Sequence, residues 1–207
     1  MNTDRGLLIS IEGVDTAGKS TQAILLKDRF EKEGKKATII HFPRYESTVG
    51  SYIGKILNDE NMFNNISKKA LQMLYVADQL DAQEEIERLL SEGVNVILDR
   101  YDLSTIAYYS MLNKENIATA ISDVYHNLQF DLKKPDITFL LTLESNEIAK
   151  RKKVLDNMEK LSNIKEITNL YIDIKNYIQD SRYFVYVYAN MPIEKVHKEI
   201  YKYLANF

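Results

Sequence analysis

The sequence predicts an α/β fold of three layers, a parallel five-stranded sheet flanked by helices, and three observations carry that expectation. Apolar runs rich in β-forming residues recur at 7–11, 37–42, 94–98, 137–143 and 183–188. Longer segments with helical apolar spacing separate them, and strands alternating with helices pack as a parallel sheet covered on both faces. The third observation is a loop. Residues Gly13-Val14-Asp15-Thr16-Ala17-Gly18-Lys19-Ser20-Thr21 read G-x-x-x-x-G-K-S-T, and they fall between the first apolar run and a helical stretch, as a phosphate-binding loop requires.

The elements follow in order along the chain. Leu7-Leu8-Ile9-Ser10-Ile11 is the first strand, and the helix opening at Lys19 carries the stripe Ala23, Leu26 and Phe30. The second run ends in Phe42-Pro43-Arg44-Tyr45, beyond the carboxyl end of its strand. A later helix places Tyr75 and Gln79 four residues apart on one side. Val94-Asn95-Val96-Ile97-Leu98 then leads into Asp99-Arg100-Tyr101. Tyr101, Thr105 and Tyr108 beyond it share one helical face by their i, i+4, i+7 spacing. Lys134-Pro135-Asp136 precedes the fourth run. Two further stripes predict packing helices: Leu161, Ile164, Tyr171, Ile174 and Ile178 over 161–178, and Ile193, Val196, Ile200 and Leu204 over 192–204, with Pro192 at its opening.

Composition bounds the function. With 207 residues, 45% hydrophobic and 28% charged, the chain suits one well-buried domain spanning 1–207. Three prolines and seven glycines leave no linker that could divide it. A net charge of −3 argues against a general nucleic-acid binder or a binder of acidic membranes. The absence of cysteine excludes disulfides, thiol nucleophiles and cysteine metal sites. No signal-peptide pattern and no apolar run of about 18 residues occurs, so the expected location is the cytoplasm.

The loop dictates chemistry through its backbone. Glycines let it curl so that successive N–H groups point inward, and the following helix adds its free N–H groups and positive dipole end. Lys19 is expected at the terminal phosphates of a nucleoside triphosphate, with Ser20 as a ligand of Mg²⁺. Asp99 and Arg100 sit at the carboxyl end of a strand, where open α/β sheets bind ligands. Asp99 suits Mg²⁺ held through water, and the planar fork of Arg100 suits an acceptor phosphate. An Arg–Asp ion pair closing a strand end is the plain alternative for that couple.

Taken together, the loop with Asp15 inside it, Phe42-Pro43-Arg44-Tyr45, the Tyr75 to Gln79 helix, Asp99-Arg100-Tyr101 with Ser104 and Tyr108, and Lys134-Pro135-Asp136 resemble the thymidylate kinase family over nearly the whole chain. The resemblance implies a nucleoside monophosphate kinase that moves the γ-phosphoryl of ATP to dTMP, with Mg²⁺, as a homodimer. Gly13 to Thr21 would bind ATP, helped by Arg151. Asp15 would contact the sugar 3′-hydroxyl and the phosphate region, while Arg44 and Arg100 would hold the acceptor phosphate. Phe42 and Pro43 would border the thymine methyl, and Tyr75 would stack on the base. Thr105 sits where the base N3 edge is bound, and Tyr108 where a ring crowds the sugar 2′ position. Tyr45, Gln79 and Ser104 complete the expected dTMP site. A short lid around 147–160 would bring further cations, among them Arg151, Lys152 and Lys153. Asp15, Lys19, Arg100 and Arg151 are the expected catalytic set, since transfer needs two anions aligned and the developing charge neutralised.

Three positions depart from the family pattern. Gln79 stands where an arginine usually donates to thymine O4, Tyr188 where an acidic residue is common, and the extra lid cations are lysines. A neutral hydrogen bond contributes about 1 kcal/mol against roughly 1.5–3 for a charged one, so weaker base discrimination is expected. Rival readings are a kinase of another deoxynucleotide or of a deoxynucleoside, and a non-catalytic nucleotide-binding protein. A deoxynucleoside kinase wants a carboxylate after the second strand, where Arg44 supplies a cation. The N-K-x-D motif of switch GTPases is missing.

Overall fold

Five strands, β1 (Leu8–Gly13), β2 (Ala37–His41), β3 (Asn95–Asp99), β4 (Ile137–Thr142) and β5 (Tyr183–Tyr188), pair in parallel in the order β2-β3-β1-β4-β5. The computed structural model describes residues 5–128, 131–144, 147, 164–178 and 183–204. β1 lies at the centre, where Ile9 pairs with Ile97 on one side and Ile137 on the other. Every residue of β1 and β3 is buried, whereas the edge strand β5 exposes Tyr183, Tyr186 and Tyr188. Central parallel strands covered on both faces read as continuous apolar runs, and an edge strand alternates. The chain leaves β1 toward β2 and β4 toward β5, in opposite directions, which opens a crevice beyond their carboxyl ends.

The helices are α1 (Lys19–Lys32), α2 (Thr48–Asn58), α3 (Glu60–Asn65), α4 (Lys68–Asp81), α5 (Gln83–Ser91), α6 (Asp102–Asn113), α7 (Ile117–Ala120), α8 (Ile164–Tyr177) and α9 (Ile193–Leu204). A π-helical turn, Ile121–His126, continues α7. Side chains alternate between the sheet faces. Accordingly Leu8, Val96 and Leu98 pack in one cluster with Ile86 and Leu90 of α5. Ile9, Ile11 and Ile97 join a larger cluster with Ala23, Leu26 and Phe30 of α1 and with α6, α8 and α9. These clusters give the three expected layers.

Starts are fixed locally. Ser47, Asp59 and Ser67 accept from the backbone N–H of Gly50, Met62 and Ala70, capping α2, α3 and α4. The stripe expected over 192–204 buries Val196, Ile200 and Leu204, but Ile193 is 55% exposed. As the first residue of α9 it precedes the turn that meets the sheet. In α8 the stripe residues Tyr171 and Ile174 are buried, as is Ile178 just beyond it, while Leu161 lies outside the described residues. The lid expected at 147–160, with Arg151, also lies outside them apart from Glu147. Among the described residues no helix is long and apolar enough to cross a membrane.

Candidate active site

The phosphate-binding loop turns where glycine is required. Gly13 has φ 134°, and an added Cβ would come within 2.3 Å of the Leu141 carbonyl oxygen of β4. Gly18 has φ 90° with open space around it, so there the left-handed backbone rather than crowding selects glycine. Behind the loop, Val14 and Ala17 are each 3% exposed. Lys19 folds over the loop, donating from Nζ to the Val14 carbonyl at 2.8 Å. α1 has no side-chain cap, and its first-turn residues Lys19, Ser20 and Thr21 line the cavity described below. The N–H groups and dipole of that turn are thereby directed at the crevice.

Asp99, at the end of β3, meets this loop. Ser20 Oγ donates to Asp99 Oδ2, and His41 Nδ1 lies 3.1 Å from the same oxygen. Burial pushes the Asp99 carboxyl up, but hydrogen bonds from His41 and Ser20 and the Lys19 charge outweigh it, leaving the group below its ordinary value. The carboxylate is therefore ionised at neutral pH. Its other oxygen, Oδ1, is buried with no hydrogen-bond partner.

Arg100 follows with φ 68°, an unfavourable backbone for a residue with a Cβ. The guanidinium pairs with Asp15 and donates to the Gly13 carbonyl at 3.2 Å, Ser104 Oγ at 3.3 Å and the Tyr171 hydroxyl at 3.4 Å. Tyr108 donates to the second Asp15 oxygen at 2.9 Å. Loop, strand end and α6 are thus tied through one ion pair. Beneath it lies Glu12, fully buried, which accepts from Tyr101 N at 2.9 Å and Ser104 Oγ at 2.6 Å. Burial first and the Asp102 charge second raise the Glu12 carboxyl to about 7, against the pull of Ser104 and Arg100. Burial and the nearby Glu12 likewise raise the Tyr171 hydroxyl, so it stays protonated.

The two strand-end arginines have different fates. Arg44, expected at the acceptor phosphate, is absent from the cavity lining. Its Nε donates to Asp78 Oδ1 at 3.1 Å, its backbone N–H to Asp78 Oδ2 at 2.7 Å, and its other nitrogens meet Asp81 and Glu85. The Asp78 side chain is 1% exposed. Asp78 accepts from Ser47 Oγ as well, at 2.8 Å, so the buried carboxylate ties the whole 42–47 segment. In this structure Arg44 fastens the 42–47 segment to α4. Tyr45 faces the cavity instead, its ring against Gly54, where an added Cβ would lie 2.9 Å from it.

A cavity of about 520 Å³ joins these parts, within the usual range for a small-molecule site. Its walls are Asp15, Thr16, Gly18, Lys19, Ser20 and Thr21 from the loop side and Asp99, Arg100, Ser104, Thr105 and Tyr108 from β3 and α6. Phe42, Pro43, Tyr45, Tyr75 and Gln79 close the far end. Gln79 Nε2 donates to Thr105 Oγ1 at 3.0 Å, which couples the two residues expected at the base edge. Sequence reasoning missed His41, Leu57 and Gln72 as lining residues, and Glu12 and Tyr171 as supports. Gln72 had a readable signal, since it shares a helix stripe with Tyr75 and Gln79. For Glu12 and Tyr171 the signal was apolar surroundings, which pointed only to burial.

A parallel sheet in this order, with a phosphate-binding loop opening into an aromatic-walled cavity, defines the P-loop nucleoside monophosphate kinase class. Comparison with known proteins narrows it. Residues 11–200 match the thymidylate kinase family model, and the chain belongs to that family. It is 30% identical over 199 residues to the thymidylate kinase of Plasmodium falciparum, covering 96% of this chain and 89% of that one. Against the thymidylate kinase of Dictyostelium discoideum it is 31% identical over 199 residues, covering 95% and 83%. The solved structure of thymidylate kinase from Candida albicans superposes with a TM-score of 0.77 at 28% identity, covering 98% of this chain and 92% of that one.

Proposed function

We propose that this protein transfers the γ-phosphoryl of ATP to dTMP, giving dTDP and ADP. The observation that carries the reading is the Arg100–Asp15 pair, which lines one cavity together with the phosphate-binding loop and the Tyr75–Gln79 wall. Donor and acceptor anions are thus brought to one place. Lys19 and the N–H groups of the loop hold the ATP phosphates, and Arg44 and Arg100 hold the acceptor phosphate, with Tyr45 beside them. Asp15 and Tyr108 meet the sugar, Phe42 and Pro43 border the base methyl, Tyr75 stacks on the ring, and the Gln79–Thr105 pair reads its edge. Proximity and charge neutralisation then supply the rate, with no covalent intermediate.

Mg²⁺ fits the donors present. The Ser20 hydroxyl and the partnerless Asp99 Oδ1 face the loop, and no cluster of three or more acidic or histidine residues forms a cage among the described residues. Such sparse oxygen donors suit an ion that keeps waters and substrate phosphates in its shell. When bound, it neutralises charge between the phosphates. The lid at 147–160 with Arg151, assembly as a homodimer and a cytoplasmic location complete the proposal.

Steady-state assays with ATP, Mg²⁺ and a panel of dTMP, dUMP, dCMP and dGMP test it. dTMP is expected as the best acceptor, preferred over dUMP through its methyl against Phe42 and Pro43, with modest preference over dCMP because the base edge is read by a neutral amide. A purine preferred over dTMP overturns the assignment. Thymidine phosphorylated in place of dTMP overturns it too.

A further inference from the structure

His41 and Asp99 are the last residues of β2 and β3 and partners in register, so both side chains leave the same face of the sheet beside each other. Both line the cavity, as does Ser20. His41 Nδ1 lies 3.1 Å from Asp99 Oδ2, and Ser20 Oγ donates to that same oxygen from the first turn of α1. An imidazole set against a carboxylate carries a proton on the facing nitrogen, so one oxygen of Asp99 collects donors from two separate elements. The other oxygen, Oδ1, is buried with no hydrogen-bond partner. Buried side-chain oxygens are mostly paired, so an orphan on a residue that lines a ligand cavity marks a place kept for a ligand group. Tyr45 packs at the imidazole, with ring centroids 5.9 Å apart, and hinders it from turning away from Asp99.

We propose that His41 is a positioning residue for the metal site: it holds Asp99 by Oδ2 and so leaves Oδ1 for the shell of Mg²⁺. The inference rests on the reading that Ser20 and Asp99 are the residues that meet the ion. A carboxylate is one planar group, so fixing Oδ2 also fixes Oδ1. A single donor would let it swing about that one bond, and Ser20 is itself expected among the ligands. The second donor comes from a strand end paired in the sheet, independent of the phosphate loop. Groups that orient a metal-binding side chain from behind matter to the ion without touching it, and their loss typically weakens metal binding about 10- to 100-fold. His41 acts on Asp99 in this way, and because Ser20 keeps its own bond the lower end of that range applies.

The test measures dissociation constants of AMP-PNP, a non-hydrolysable ATP analogue, by calorimetry with Mg²⁺ and again with EDTA, for the unsubstituted protein, His41→Ala and His41→Asn. The ratio of the two constants is the gain that the ion contributes, read without turnover. His41→Ala is expected to lower this gain about 10-fold while affinity in EDTA is unchanged. His41→Asn restores it, because the asparagine amide nitrogen reaches the place of Nδ1 and donates to Asp99 in its stead. Since His41 acts through Asp99, Asp99→Asn also lowers the gain, and adding His41→Ala to it removes nothing more. An unchanged gain in His41→Ala overturns the inference, and so does a gain as low in His41→Asn as in His41→Ala. Equal losses of affinity in EDTA and in Mg²⁺ overturn it too, since a merely structural role would produce them. If the unsubstituted protein shows no gain from Mg²⁺, the metal reading fails and takes the inference with it, a result distinct from a gain that His41→Ala leaves intact.

Discussion

Replacing Glu12 by glutamine changes how folding stability responds to pH. The folded protein holds this carboxyl at about 7, against 4.5 for the unperturbed group, because burial disfavours its charge and Asp102 repels it. Below pH 4.5 both folded and unfolded chains keep the proton, and the group has no effect. Between 4.5 and 7 the unfolded chain releases it while the folded chain retains it, so stability falls as pH rises. Above 7 the loss is complete. Each pH unit that separates the folded from the unfolded value contributes roughly 1.4 kcal/mol, so the whole loss is about 3 kcal/mol. For a chain of this size it corresponds to roughly 6–12 °C in Tm.

Glutamine keeps an oxygen to accept from Tyr101 N and a terminal group beside Ser104 Oγ, while it cannot ionise. Thermal denaturation of both proteins at pH 5, 6, 7 and 8, without nucleotide, isolates the effect, since every other titrating group is common to the two. The Tm of Glu12→Gln is expected to gain on that of the unsubstituted protein by most of this amount between pH 5 and 8. Parallel curves would refute the reasoning, because they would mean that the Arg100 charge and the Ser104 hydrogen bonds hold Glu12 ionised throughout.

Other perturbations separate the parts of the site. Lys19→Ala removes the cation that folds over the loop, and transfer to dTMP should fall by several orders of magnitude in a coupled assay while the circular dichroism spectrum is retained. Arg100→Lys keeps a charge but loses the planar fork that spans Asp15, Gly13 and Ser104, so kcat/KM for dTMP should drop about 100-fold. Asp78→Ala breaks the anchor of Arg44, with an expected cost of about 3 kcal/mol in denaturant unfolding and a raised KM for dTMP, as the Phe42–Tyr45 wall loses its hold on α4.

The sheet and the phosphate loop are legible in the sequence because their determinants are contiguous. A strand buried on both faces shows as an unbroken apolar run, and Gly13 to Ser20 carries its backbone geometry and its chemistry within a single stretch. The helix stripes are legible for the same reason, although the stripe puts Ile193 inside while its place in the first turn leaves it outside. Side-chain fates that depend on distant partners are not legible. The stripe makes Tyr171 a packing residue and nothing more, yet its hydroxyl lies 2.7 Å from Ser104 Oγ and joins the Arg100 network. Gln72 shares the stripe of Tyr75 and Gln79, a signal of its side of the helix but not of its burial. Only the fold shows that it is buried without a partner in the acceptor cavity.

Arg44 and Arg100 contrast in the charge that surrounds each of them. Both follow a parallel strand, and both side chains are largely buried at 15% and 16% exposure. Depth of burial therefore does not separate them. Arg44 faces Asp78, Asp81 and Glu85, three carboxylates around one guanidinium, of which only Asp78 is buried. Arg100 pairs with Asp15 and donates to neutral oxygens of Gly13, Ser104 and Tyr171, while the carboxyl beneath it, Glu12, is pushed toward its neutral form. Burying Glu12 thus does more than seat α6: it lessens the negative charge beside the Arg100 guanidinium, the group proposed to meet the acceptor phosphate. Those carboxylates come from segments far from either arginine in sequence, which is why one short motif, a strand followed by an arginine, reads alike at both places and sits in different surroundings.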